Sequence, residues 1–95
     1  MPKGYVIGRA VVTDPDKWAR YAAKATDVLK QHGGRPLARG GRFEVGEGEG
    51  RPRNIVHEFD SYEQAHAYLF SAEYAAARKL REGAGHIDLI VVEGI

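Results

Sequence analysis

What most constrains this chain is the order in which two kinds of periodicity follow one another. An alternating apolar run, Tyr5 to Val12, leads into a capped segment with helical spacing. A glycine-punctuated hairpin, a second helical stretch and a closing apolar run, Ile87 to Val92, complete the chain. Alternation at period two marks strands, and recurrence at 3.6 marks helices. The order is therefore β-α-β-β-α-β, the split βαβ or ferredoxin-like layout: an α+β fold with a four-stranded antiparallel sheet and two helices on one face. Two helices cover one face of such a sheet, so the other must find a partner.

A chain of 95 residues is expected to form a single domain over residues 1–95, burying only about 60 to 65% of its unfolded surface. With 43% hydrophobic and 28% charged residues it has the composition of an ordinary globular protein. The absence of cysteine excludes disulfides, thiolate metal sites and cysteine nucleophiles, and makes a cytoplasmic location the default. Arg9 interrupts the first apolar run, and no stretch approaches the ~18 apolar residues of a membrane span, so neither export by a signal peptide nor a membrane partner is expected. A net charge of +1 gives no preference for nucleic acid.

Local signals refine the layout. Thr13 or Asp14 can cap the first helix, with Pro15 at its first position, where a missing N–H has no partner to lose. Trp18, Tyr21, Ala22, Ala25, Val28 and Leu29 form its apolar stripe, and Gly33-Gly34 ends it. Arg35 to Arg39 reads as extended, Gly40-Gly41 as a bulge or kink, and Arg42 to Val45 as the strand's continuation before a turn at Gly46 to Gly50. Asn54 to Phe59 returns as a strand. Asp60 or Ser61 can cap the second helical stretch, which breaks near Ser71, where Ser71-Ala72-Glu73-Tyr74 reads as a fresh capped start.

The strand period assigns faces. Small Gly8 and Ala10 suit close helix packing, which sends Tyr5, Ile7, Arg9 and Val11 to the open face. In the returning strand Ile55, His57 and Phe59 face the helices, and Val56 and Glu58 face outward. Ile7, Val11 and Val56 would then leave an apolar surface unusual for a monomer, and a homodimer is expected. Arg9 and Glu58, on neighbouring central strands, are expected to pair. They read either as an anion-orienting arginine and a general base or, the favoured reading, as a structural ion pair at the seam.

Several motifs together, Lys3-Gly4-Tyr5, Thr13-Asp14-Pro15, Leu37-Ala38-Arg39-Gly40-Gly41, Glu58-Phe59, Ser71-Ala72-Glu73-Tyr74 and Val91-Val92-Glu93-Gly94, resemble the domain-of-unknown-function 1330 family along essentially the whole chain. The resemblance implies a dimeric α+β barrel, in which two ferredoxin-like protomers pack their open sheet faces together. It brings no activity with it, and sister families on this fold range from cofactor-free monooxygenases to haem enzymes and ligand sensors. His57 stands where the family pattern leads one to expect an aliphatic residue, so no family-wide role transfers to it.

No catalytic motif is complete. His57-Glu58 followed by His66 is not a metal-binding helix, because a strand end and a helix start intervene; His32 reads as a helix cap, His66 as exposed and His86 as a loop residue, so no metal is expected. The Gly46 to Gly50 tip carries Glu47 and Glu49, which repel phosphate, and no dinucleotide fingerprint accompanies it, so no cofactor is expected. Arg35, Arg39, Arg42, Arg51 and Arg53 are interleaved with acids and read as a solvated hairpin surface. What remains is a small-molecule reading, an anionic or oxygen-rich organic ligand bound by Tyr5, Arg9, Arg39 and Tyr74 with Glu58 or His57 as the proton-transfer group, and a non-catalytic structural or regulatory dimer as the alternative.

Overall fold

The hydrogen-bonding capacity of the termini sets where each helix begins. In the computed structural model, which describes residues 2–95 and so leaves Met1 of the expected domain outside, β1 (Gly4–Val12) runs into α1 (Pro15–Gln31), whose Asp14 carboxylate accepts the Lys17 N–H at 3.1 Å. After β2 (Arg35–Arg39) and β3 (Arg53–Phe59), Ser61 caps α2 (Tyr62–Leu69) by accepting the Gln64 N–H. The expected break is real. The Ser71 hydroxyl donates to the Tyr68 carbonyl at 2.8 Å, closing α2, and accepts the Tyr74 N–H at 3.0 Å, opening α3 (Ala72–Lys79). One side chain serves both helix ends, so three helices stand where two stretches were read. β4 (Gly85–Glu93) closes the chain.

The four strands pair antiparallel in the order β2-β3-β1-β4, the ferredoxin-like arrangement. In the central pair Gly4 lies opposite Phe59, Val6 opposite His57, Gly8 opposite Ile55 and Ala10 opposite Arg53. These positions face the helices. Val6, Ala10 and Phe59 are buried against Trp18, Tyr21 and Leu29 of α1, Tyr68 of α2 and Tyr74 of α3. The core is aromatic above and small below: Ala65 and Ala77 on the helices are fully buried and let three tyrosines crowd together, with Tyr68 5.2 Å from Tyr74 and Tyr21 6.3 Å from Tyr74 between ring centres.

The hairpin departs from expectation. Its bulge lies at Leu37, between Pro36 opposite His57 and Ala38 opposite Val56, and not at Gly40-Gly41. The strand stops at Arg39. Gly40 turns the chain outward with φ of 69°, a conformation that penalises other residues, while its N–H donates to the Asn54 carbonyl as a last rung at 2.9 Å. Arg42 to Val45 therefore belong to a loop, because alternating glycine and glutamate further on offer no apolar face with which to continue the ladder. That loop returns over the open face, where Arg9 donates to the Glu49 carbonyl at 3.0 Å and Arg51 pairs with Asp88 at 2.9 Å.

The open face carries Tyr5, Ile7, Arg9 and Val11 from β1, with Val56 and Glu58 from β3, as the strand period requires. Ile90 and Val92 of β4 join them, exposed by 54% and 39%.

Gly4 is the tightest joint between sheet and helix: a Cβ there would overlap the Ser61 carbonyl and the Tyr62 Cα at the start of α2. Gly4→Ala is expected to lower unfolding free energy by about 2 kcal/mol or more, whereas Gly41→Ala, where a Cβ meets nothing within 4 Å, stays near the parent. Urea denaturation of the two variants checks the contrast.

Candidate functional site

Neighbouring residues of a strand point to opposite faces, and this separates the residues the sequence singled out. Tyr5, Arg9 and Glu58 lie on the open face, whereas His57 and Arg39 lie on the helix side and Tyr74 sits on α3 within the core. They form two clusters with the sheet between them.

On the open face, Glu58 lies opposite Tyr5 on one side and Arg35 on the other. The Tyr5 hydroxyl donates to one carboxylate oxygen at 3.1 Å; Arg35 donates to the other through Nε at 3.3 Å and Nη2 at 3.2 Å, and bridges onward to Asp60 at 3.0 Å. The hydrogen bond to Glu58 raises the Tyr5 phenol above its ordinary range, and burial adds to it. Arg9 is not the partner of Glu58. It lies opposite Asn54 and Asp88, four residues along the strand from Tyr5, and at about 3.4 Å per residue that gap is too long for a side-chain contact. The carboxylate is held instead by Tyr5 of β1 and Arg35 of the edge strand, one on each oxygen.

The helix side is chemically different. His57 is only 7% exposed, and its Nδ1 is buried with no hydrogen-bond partner among the described residues. It looks into a cavity of about 40 Å³ between α1 and the sheet, walled by Trp18, Tyr21 and Ile55 and rimmed by Thr26, Arg39 and Arg53. Burial, then the positive charge of Arg39, pushes the imidazole down to about 4, so it is neutral at pH 7 with one nitrogen able to accept a proton. Thr26 fixes the rim: its hydroxyl donates to the Ala22 carbonyl at 2.8 Å and accepts from Arg39 Nη1 at 3.1 Å, drawing the arginine from β2 across to α1. Among the described residues neither Arg39 nor Arg53 has a carboxylate within 4.0 Å. Two uncompensated guanidiniums beside a neutral histidine suit an anion.

Arg53 is the residue sequence reasoning missed. The signal is present, since Arg53 shares the period of Ile55, His57 and Phe59, but its neighbours group it with the solvated hairpin arginines. Tyr74 does not line the cavity; it acts on it through Tyr21, the two hydroxyls being 2.6 Å apart. Burial, reinforced by Tyr74, drives the Tyr21 phenol far above its ordinary value. His32 caps α1, its Nδ1 3.0 Å from the Val28 carbonyl, and His66 is exposed on α2. His86 lies within β4 on the open face, 3.4 Å from Asp88, and not in the loop before it, because β4 begins at Gly85. Among the described residues no group of three His, Cys, Asp or Glu side chains is placed to hold a metal, and no helix is long and apolar enough to cross a membrane.

The chain belongs to the family described as domain of unknown function DUF1330, whose model matches residues 3–95. A protein of unknown function from Rhodopseudomonas palustris superposes with a TM-score of 0.77 at 16% identity, over 99% of this chain and 83% of that one. SnoaB, a cofactor-independent oxygenase from Streptomyces nogalater, superposes with a TM-score of 0.66 at 9% identity, over 97% of this chain and 92% of its own. A Bacteroides fragilis protein described as dimeric, of unknown function and ferredoxin-like in fold gives 0.52 at 15% identity, over 97% and 94%. Comparison with curated proteins by sequence gives no match. At these identities the structural likenesses establish the fold alone.

The buried imidazole makes stability depend on pH. Unfolded histidine ionises near 6.5 and His57 near 4, so its contribution is complete above about 6.5 and is lost as the pH falls toward 4, by at most about 3 kcal/mol. His57→Phe is expected to flatten that part of the curve in urea melts taken across the window. Equal slopes in the two proteins would mean that His57 ionises freely, and that the site is not enclosed.

Proposed function

We propose that this member of the DUF1330 family binds a small anionic or oxygen-rich organic molecule in the cleft between α1 and the sheet, and acts on it without a cofactor, as a homodimer joined through its open sheet faces. Arg39 holds the charge, and His57 is the proton-transfer group. The observation that carries this reading is that a buried His57 Nδ1, without a hydrogen-bond partner among the described residues, lies near a cation, Arg39, that has no carboxylate partner among them. An unpaired buried polar atom costs free energy unless something meets it, and a ligand oxygen over the cavity would meet both groups. The imidazole, pushed down to about 4 by burial and by Arg39, becomes more basic when an anion offsets Arg39. The fold likeness to SnoaB, itself described as cofactor-independent, is in keeping with chemistry supplied by side chains.

The open face has the other role. Ile7, Val11, Val56, Ile90 and Val92 form an apolar surface bounded by the Tyr5–Glu58–Arg35 network, and the described dimerism of the Bacteroides fragilis relative favours a second copy as its cover. Sedimentation is expected to give a dimer at micromolar concentration. Ile90→Lys, which places a charge in the middle of the face, should yield monomer; a parent that sediments as a monomer excludes this assembly.

A thermal-shift screen against aromatic carboxylates, keto acids and their neutral amides tests the ligand site, since a ligand selective for the native state raises the melting temperature by mass action. Acids should raise it in the parent and in Glu58→Gln, and fail to do so in Arg39→Ala and His57→Phe. A response lost in Glu58→Gln but kept in Arg39→Ala would move the site to the open face.

A further inference from the structure

The inner cavity shares a wall with a second space. A cleft of about 540 Å³ lies outside it between the start of α1 and the end of the hairpin loop, walled by Val12, Pro15, Ala19 and Pro52. Trp18, Ala22 and Arg53 line both spaces, so the two adjoin along one wall. Their chemistry is opposite. The inner space of about 40 Å³ holds the polar groups, His57, Arg39 and Arg53, and has room for a few heavy atoms only. The outer one has a volume typical of small-molecule sites, and Arg53, which lines both, is its one charged wall among the described residues.

We propose that the ligand is an amphipathic organic monoacid: a single carboxylate seated in the inner space between Arg39, Arg53 and His57, carried on a flat apolar body that lies in the outer cleft against Trp18, Pro15 and Pro52. This rests on the placement of the site in the helix-side cleft and adds its ligand class. Three features of the cleft support it. Two arginines that have no acidic partner among the described residues line a space the size of a carboxylate, and fork donors match a carboxylate's two oxygens. The rest of the outer lining is apolar, so a second charge on the ligand would find no cation there beyond the Arg53 that already faces the carboxylate. The indole of Trp18, 4% exposed and shared by both spaces, offers a rigid ring at the point where body and head group join.

The test uses four probes on the intact protein by calorimetry: 2-naphthoate, its neutral isostere 2-naphthamide, acetate, and the diacid 2,6-naphthalenedicarboxylate. 2-Naphthoate is expected to bind about tenfold or more tightly than each of the others. Arg53→Gln should weaken 2-naphthoate by about tenfold. Ala19→Phe, at an exposed position on α1 whose new ring would fill the outer cleft, should weaken 2-naphthoate by about tenfold while leaving acetate unchanged. Acetate and 2-naphthoate binding equally, both lost in Arg39→Ala, would overturn the outer compartment and leave the anion site standing. 2-Naphthamide binding as tightly as 2-naphthoate would overturn the carboxylate seat, and with it the role of Arg39. The diacid binding as tightly as 2-naphthoate, or no binding of 2-naphthoate at millimolar concentration, would overturn the monoacid class while the broader screen still decides whether the cleft takes another ligand.

Discussion

The register between β1 and β3 is the constraint on which the rest depends. With Gly4 opposite Phe59 and Val6 opposite His57, every second residue of the two central strands is committed to the helices and every other one to the open face. A slip of one residue would exchange the two sets, burying Glu58 under Tyr68 and exposing His57 and Phe59, at a cost no loop could offset. The register is held where it matters most, at Gly4, whose lack of a side chain lets the start of α2 sit directly on the strand. The same parity makes the molecule two-sided: a cavity lined by the buried imidazole of His57 on one side, and an apolar sheet face on the other.

The cavity follows from the residues chosen for the helix-facing positions. Gly8 and Ala10 add little bulk beneath α1, where Ile55 and Leu89 close over Gly8, while Trp18 and Tyr21 are too large and rigid to collapse into the space that remains. What holds the aromatic rings in place is partly polar, the Tyr21–Tyr74 hydroxyl contact, and partly the Arg81 guanidinium 4.9 Å from the centre of the Tyr21 ring. The wall is therefore rigid on the α1 side and adjustable at its rim, where Arg39 and Arg53 come from the end of a hairpin whose loop carries little core of its own.

How much of this was legible in the sequence depends on how local the signal is. Caps are local: Asp14-Pro15, Ser61 and Ser71 act within four residues, and the break between α2 and α3 could be read from Ser71-Ala72-Glu73-Tyr74 alone. Face assignment is also local, and Gly8, Ala10, His57 and Glu58 point where the period sends them. Pairing is not local. That Glu58 meets Arg35 and Tyr5, and that Arg9 turns to the Glu49 carbonyl, depends on the offset between strands remote in sequence and on a bulge at Leu37 that no glycine announces. Arg53 reads as part of a solvated hairpin surface for the related reason that its destination depends on where the hairpin stops, and the stop is at Arg39 and not at Val45.

The central claim, that the helix-side cleft is a ligand site built on His57 and Arg39, is tested most directly by following the His57 imidazole with nitrogen-15 NMR as a function of pH, with and without 2-naphthoate. The account predicts a neutral ring in the free protein that titrates near pH 4 and a midpoint that moves upward when the carboxylate binds, because the anion offsets Arg39 and gives the ring a partner. A midpoint near the ordinary histidine value of about 6.5, unmoved by the ligand, would contradict it.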